Sequence, residues 1–445
     1  METDDDLARA VGRAWLDDAP WELLTDLTAI PDRLAGGPGE RRGAELTAAA
    51  LADAGGRAVA ERPFDLQRWR RGTSTLAVTT PDERSFETLA LPYSPAGSVE
   101  GPLVDAGAGT PEAVAGADLA GAIAVVSTET PADFPRFLHR EEKYGHVVDA
   151  GAAGFVFANH EGSQLLPTGS LRFDREAELP AVGVSRETGA WLREYAGRGG
   201  RARLTVDAET EPGESRNVEA LLGPDTDEEV VVCAHHDAHD VGEGALDNGC
   251  GVATLVGAAR LLAALDVDCR VRLVTTGGEE LGLLGAASLA DRLDPGTVRA
   301  VVNVDGAGRF RTLRALTHTS DALAQVASEL GGRVGHPIET TTRPHPFSDH
   351  WPFLRRGVPA LQLHSSRERA GDTWSRGVTH TRADTRDKAD GRILREHAIL
   401  TALLVRALTR RPVPRPASEA VREALAAQEL DVGMRAIGIW PDGWD

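Results

Sequence analysis

The chain has 445 residues, 41% of them apolar, which is enough for two domains with sizeable cores. A formal charge of −20 leaves no basic face for nucleic acid. Of 48 basic residues only Lys143 and Lys388 are lysines; this acid-rich, lysine-poor composition resembles that of extreme halophiles, although a GC-rich genome would favour arginine in the same way.

The opening METDDDLARAVG has neither a basic n-region nor an apolar h-region, and no apolar run is long enough to span a membrane, so the cytoplasm is the expected compartment. From Asp5 to about Gly55 the periodicity predicts two amphipathic helices, WELLTDLTAIPDRL and AELTAAALADAG, joined by the loop AGGPGERRG. RAVAERPFDLQRWRRGTSTLAVT then reads as strands, with Arg68, Arg70 and Arg71 on a solvated edge. Between about Ser85 and Ala208 glycine and alanine rise and short strands take over. LAGAIAVVS and AGAAGFVFANH read as strands and LPAVGVSRETGAWLREYA as a strand running into a helix, with His139, His146 and His160 expected at the surface.

The densest chemistry follows in VVVCAHHDAHDVGEGALDNGCG. Apolar β-branched residues bounded by polar ones predict a buried strand of a parallel sheet, where chemistry collects at the carboxyl end. His235, His236 and Asp237 sit at that end. Asp247 and Asn248 precede GVATLVGAARLLAAL, whose spacing predicts a helix, so Asp247 is either an N-cap or a functional carboxylate at a helix start. VRLVTTGGEELGLLGAASLA repeats strand, turn and helix and sets Glu279 beside Glu280, an arrangement costly unless a cation or separate roles compensate. AVVNVD ends on Asp305, VPALQLHSS ends near His364, and HTRADT carries His380 and Asp384. Imidazoles with carboxylates and no thiolate cluster suit zinc, with cobalt or manganese as substitutes. Cys233, Cys250 and Cys269 read as buried free thiols. The chain closes with the helix TRDKADGRILREHAILTALLVRAL, the linker RRPVPRPA, one further helix over SEAVREALAAQELDVGMRA, and an aromatic tail.

The blocks AHHD with GALDNG, GGEELGLLG, NVDG, SDHWPFLRRGVPA and HTRADT, in this order, resemble the co-catalytic di-zinc exopeptidases of metallopeptidase family 28, which includes bacterial leucyl aminopeptidases, carboxypeptidase Q and glutaminyl cyclase. The resemblance implies an α/β fold, with a mixed, mostly parallel sheet and helices on both faces. Residues 85–208 resemble an inserted protease-associated domain; residues 1–84 and 209–411 would form the catalytic domain and 412–445 a C-terminal extension. It further implies two divalent ions, with Asp247 bridging them, Glu280 and His380 completing one ligand set, and His235 and Asp305 the other. Asp237 would orient His235, and Glu279 would be the general base.

His236 and His239 are extra histidines of the same loop that could compete with His235 for the ligand role; the twelve-residue step from His235 to Asp247 favours His235, and His236 is expected to point away along the strand. His350 could hydrogen-bond a developing oxyanion. Asp349 either belongs with it or caps a helix starting at Trp351. Asp384 is expected to support the loop carrying His380. Many aminopeptidases of the family have a tyrosine just before the last ligand; here Thr379 stands there, and His350 or Trp374 would shape that wall instead. The implied activity is hydrolysis at a free peptide N-terminus, with no nucleic-acid or membrane partner and the oligomeric state open. A dipeptidase like carboxypeptidase Q, a glutaminyl cyclase and a metal-free binding module are the alternatives.

Overall fold

The computed structural model describes residues 4–336, 338–366 and 377–444; Trp374 lies outside them. The chain divides into two compact units: Met1–Asp65 with Glu214–Asp372 and Asp384–Ala424, and Leu66–Gly213 with Thr373–Ala383 and Leu425–Asp445.

The first unit is built on a mixed, mostly parallel sheet. Its strands lie in the order Ile338–Thr341, Thr312–Leu316, Ala360–Ser366, Val298–Val304, Glu229–His235, Arg270–Thr276 and the end of Arg201–Leu222. Glu229–His235 is parallel to both neighbours and buried at every residue, which explains why its sequence is a continuous apolar run rather than an alternation. Val230, Val232, Leu273 and Val302 share a core with Leu255 and Ala259 of the helix Cys250–Leu262 and Leu400 and Leu404 of Gly391–Arg410. The register pairs Thr276 with His235 and Asn303 with Cys233. Three strands therefore end at one sheet edge, and the residues after them emerge together.

The helices before the sheet differ from expectation. Among the described residues there are three, Asp4–Trp15, Ala19–Thr28 and Pro38–Asp53. The second stops at Thr28 rather than Leu34, since Pro31 has no amide hydrogen to donate and disfavours helix in the residue before it. The third begins inside the expected loop because Pro38, with φ fixed near the helical value, is well suited to the first turn. The expected single helix near the C-terminus is two, Ser418–Ala426 and Leu430–Ile437, separated at Glu429, whose φ is 56°.

In the second unit Gly97–Asp105, Ile123–Ser127, Gly154–Ala158 and Ala181–Val184 form successive parallel pairs, and residues 201–206 pair antiparallel with the first. The strand at Ala181 runs into the helix Arg186–Gly197, capped by the Ser185 hydroxyl accepting the Thr188 amide at 3.1 Å. Arg70 and Arg68 are not solvated alone but pair with Glu209 and Glu211. His139 is buried rather than at the surface because its ring accepts the Glu141 amide at 3.3 Å as the cap of Arg140–Asp149. In that helix Glu142 is held by a two-pronged bond from Arg136, with both N···O distances 2.6 Å. Leu430–Ile437 packs on it: a Cβ at Gly433 would lie 2.5 Å from Glu142 Oε2 and 3.0 Å from Arg136 Nη1, so only glycine lets the tail backbone close over the pair.

Candidate active site and metal centre

In the first unit, the loops beyond the sheet edge gather the carboxylates singled out in the sequence. His235, the last residue of its strand, has Nε2 3.3 Å from Asp247 Oδ1 and 3.8 Å from Asp305 Oδ1. One donor atom each from His235, Glu279 and Asp305 lie within 4.8 Å of one another. His239 Nε2 lies 3.0 Å from Glu280 Oε2. The neighbouring glutamates thus turn to different imidazoles. His236 turns away from these carboxylates, its Nε2 3.9 Å from Glu40 Oε1.

Asp237 organises this corner. It is fully buried; its Oδ1 accepts the Glu279 amide and its Oδ2 the Glu280 amide, both at 3.2 Å, and Oδ1 lies 3.5 Å from His235 Nδ1. The carboxylate so fixes the turn carrying the two glutamates, while the Asp237 backbone carbonyl accepts from His235 Nδ1 at 3.1 Å and fixes the imidazole. Asp247 is no helix cap: it has φ −127° and ψ 88° in an irregular turn, with a cis peptide bond to Asn248. Its amide and that of Leu246 donate to Asp384 at 3.1 and 2.7 Å. Asp384 therefore holds the loop of Asp247. Asn248 donates to the Val304 carbonyl at 2.8 Å, and Asp305 accepts from Ser348 at 2.7 Å and Gln362 at 3.1 Å.

The electrostatics are those of crowded acids. Burial, with Asp305 and Glu280 adding to it against the pull of His235, holds Glu279 well above the usual carboxylate range. Burial likewise pushes Asp349 and Asp384 up to about 7. His235 goes the other way: burial lowers it, but Glu279, Asp237, Asp247 and Asp305 outweigh burial and keep it well above its ordinary value.

Two expectations change here. Asp349 caps nothing; it accepts a hydrogen bond from Thr276 at the end of the neighbouring strand, and Trp351–Leu354 has no side-chain cap. His350 does not face an oxyanion. It is buried, its Nε2 donates to the His345 carbonyl at 2.6 Å, its Nδ1 faces Asn303 Nδ2 at 3.5 Å, and its ring stacks on His318 with 4.0 Å between centroids. Both ring nitrogens are engaged, and burial lowers the imidazole to about 4, so it stays neutral. His380 and Thr379 fall in the second unit. There His380, at φ 58°, has Nδ1 3.3 Å from the Thr168 carbonyl and shares the lining of a cavity with Thr379, Thr128, Asn159 and His160.

Residues 217–405 match the model of peptidase family M28, and residues 99–192 that of the PA domain. Residues 217–405 are thus similar to peptidase family M28. Among sequence relatives, a probable leucine aminopeptidase 2 of Aspergillus fumigatus is 29% identical over 246 residues, 54% of this chain and 47% of that one. Aminopeptidase YwaD of Bacillus subtilis is 27% identical over 59% of this chain and 57% of its own. The chain thus spans about half the length of the relatives it matches. In fold it is similar to a peptidase M28 precursor from Shewanella amazonensis, with TM-score 0.77 and 23% identity, covering 92% of this chain and 98% of that one. A zinc aminopeptidase from Bacillus subtilis superposes with TM-score 0.70 and 23% identity over 87% and 94%. No helix among the described residues is long and apolar enough to cross a membrane.

Within the M28 domain and the helices before it, several supports carry no sequence signal. The guanidinium of Arg33, 2% exposed, donates to the carbonyls of Leu27, His236, Glu243 and Gly244 and so pins the loop between His235 and Asp247 from both ends. Glu40 is buried too, bonded by Gly36 at 2.7 Å and by Ser215, and burial with Asp237 nearby pushes it up to about 8. Both residues come from helical or turn segments in which a charged side chain ordinarily faces water. Cys233, Cys250 and Cys269 are free and buried.

Proposed function

We propose that this chain is a two-metal exopeptidase, an aminopeptidase that hydrolyses the first peptide bond of a substrate with a free N-terminus. The single observation that carries the reading is the convergence of His235, Asp247, Glu279, Glu280 and Asp305 at one sheet edge. The donor set suits divalent cations. Imidazole nitrogens stand among carboxylate oxygens with no thiolate, and buried carboxylates at this density cannot all stay ionised without added positive charge. Zinc is the proposed metal, with cobalt and manganese able to replace it. His235 and Asp305 are assigned to one ion, Glu280 and His380 to the other, and Asp247 to both; His380 is assigned on its HTRADT motif.

The two ions would polarise the scissile carbonyl and lower the pKa of a shared water. Asp237 keeps the His235 imidazole oriented by facing its Nδ1, and by accepting the amides of Glu279 and Glu280 it holds these side chains apart in role. Glu279 takes the proton of the attacking water and delivers it to the leaving amine. Asp384 and Arg33 hold the Asp247 loop in place from behind.

The test is metal content by elemental analysis, run beside aminoacyl chromogenic substrates, free dipeptides and N-blocked peptides. Two zinc-class ions per chain with cleavage confined to free N-termini is the expected result. Cleavage of dipeptides alone would move the reading to a dipeptidase, and no metal with no turnover would sink it.

A further inference from the structure

His239 has no part in the assignments above, yet it meets a residue that does. We propose that His239 is a ligand of the ion assigned to Glu280, an inference that rests on the two-metal reading. Its Nε2 lies 3.0 Å from Glu280 Oε2, and each side chain is 4% exposed. Donors held by one zinc at about 2.0–2.2 Å each lie at most about 4.3 Å apart, so this pair is within the span that one ion bridges.

The loop is built to aim the ring. The Ala238 amide donates to the Arg33 carbonyl at 3.0 Å, while the Arg33 side chain holds the carbonyls of His236, Glu243 and Gly244. His239 is thereby fixed on the Glu280 side and His235 on the Asp247 and Asp305 side, while His236 faces Glu40. The alternative for a buried imidazole at a carboxylate is a simple ion pair, whose two desolvated charges are recovered only by excellent geometry and further hydrogen bonds. Here Glu280 stands beside Glu279, which itself feels Asp305 and Asp349, and a divalent ion supplies the positive charge that a lone imidazolium cannot. A neutral imidazole in place of another carboxylate also leaves that ion more strongly electrophilic.

The test uses the full chain stripped of metal and titrated with Co2+, read by calorimetry and by visible absorption. Wild type is expected to bind two ions. His239→Ala is expected to bind one as before and the other at least about 100-fold more weakly, beyond the range of a supporting contact, with an altered cobalt spectrum. His239→Gln separates ligand from support: its amide still reaches Glu280 by a hydrogen bond but is a poor donor to a zinc-class ion. Gln is expected to fail as Ala does, and Gln restoring wild-type affinity and spectrum would overturn the proposal. His236→Asn, in the same loop, is expected to keep both ions. Two ions at unchanged affinity and spectrum in His239→Ala would overturn the proposal while the two-metal reading stands. No Co2+ uptake by wild type would overturn both.

Discussion

Both units bury charged side chains, but they do so in opposite ways. In the helix Arg140–Asp149 of the second unit, burial pushes Glu142 up, yet the bidentate Arg136 more than offsets this and leaves it below the usual carboxylate range. Lys143 in the same helix donates to the carbonyls of Ser127 and Glu129 at 2.8 and 2.5 Å. Beyond the sheet edge of the first unit, acids face acids: Glu279 feels Asp305, Glu280 and Asp349, and Asp384 feels Asp247. The cations facing them are His235 and Arg33. A charge buried with its partner is part of the scaffold; a group of like charges buried together marks a place prepared for something that arrives later.

The contrast can be broken most severely at Asp247. Asp247→Ala is expected to lose bound metal and to lower kcat/KM by on the order of 10⁴-fold, several kcal/mol of charge stabilisation. Melting in the presence of a chelator sharpens the point, because removing one of several crowded acids should leave the metal-free variant at least as stable as metal-free wild type. A lower melting temperature would mean that Asp247 is part of the scaffold.

Glu279→Gln is expected to retain both ions by elemental analysis while kcat falls about 10²–10⁴-fold, the range of a lost general base. Full activity would remove Glu279 from that role.

In the second unit the sign of the stability effect reverses. Arg136→Ala leaves Glu142 buried with only His146 beside it, at 3.3 Å, and denaturant unfolding should register a loss of about 3–5 kcal/mol. A loss near zero would remove the distinction between the two regions.

The smallest effect per unit of perturbation concerns Glu141, next to Glu142 but without a bidentate partner. Burial, opposed by Arg140 and Ser170, raises its carboxyl from 4.5 to about 8, and its Oε2 is buried with no hydrogen bond. The folded state thus holds a proton that the unfolded state releases. Its stabilising contribution is present below about pH 4.5 and is lost as pH rises to about 8, with a slope of at most about 1.4 kcal/mol per pH unit. Melting temperatures across that window should fall more steeply for wild type than for Glu141→Gln, and parallel curves would show that Glu141 is ionised in the fold.

What could be read from the sequence is what local order encodes. The apolar run ending at His235, the strand and turn before Glu279, and the run ending at Asp305 are each a strand followed by a turn, and a parallel sheet with strands in register brings such ends to one edge whatever the loops do. Periodicity and residue type place each of these carboxylates after a strand, while the fold class and their convergence on one site are what the resemblance to metallopeptidase family 28 implied. The tertiary structure decided the rest, because the deciding partners are far apart in the chain. Arg33 reaches His236 across 203 positions and Asp384 reaches Leu246 across 138, and neither pairing leaves a local pattern. Nor does sequence tell which of His235, His236 and His239 faces which acid, since neighbouring side chains of one loop separate only once the backbone is fixed. His350 shows the same limit, being next to Asp349 in sequence but committed by stacking on His318 and bonding to His345. Residue type and spacing select the chemistry, and packing decides which atoms remain available to perform it.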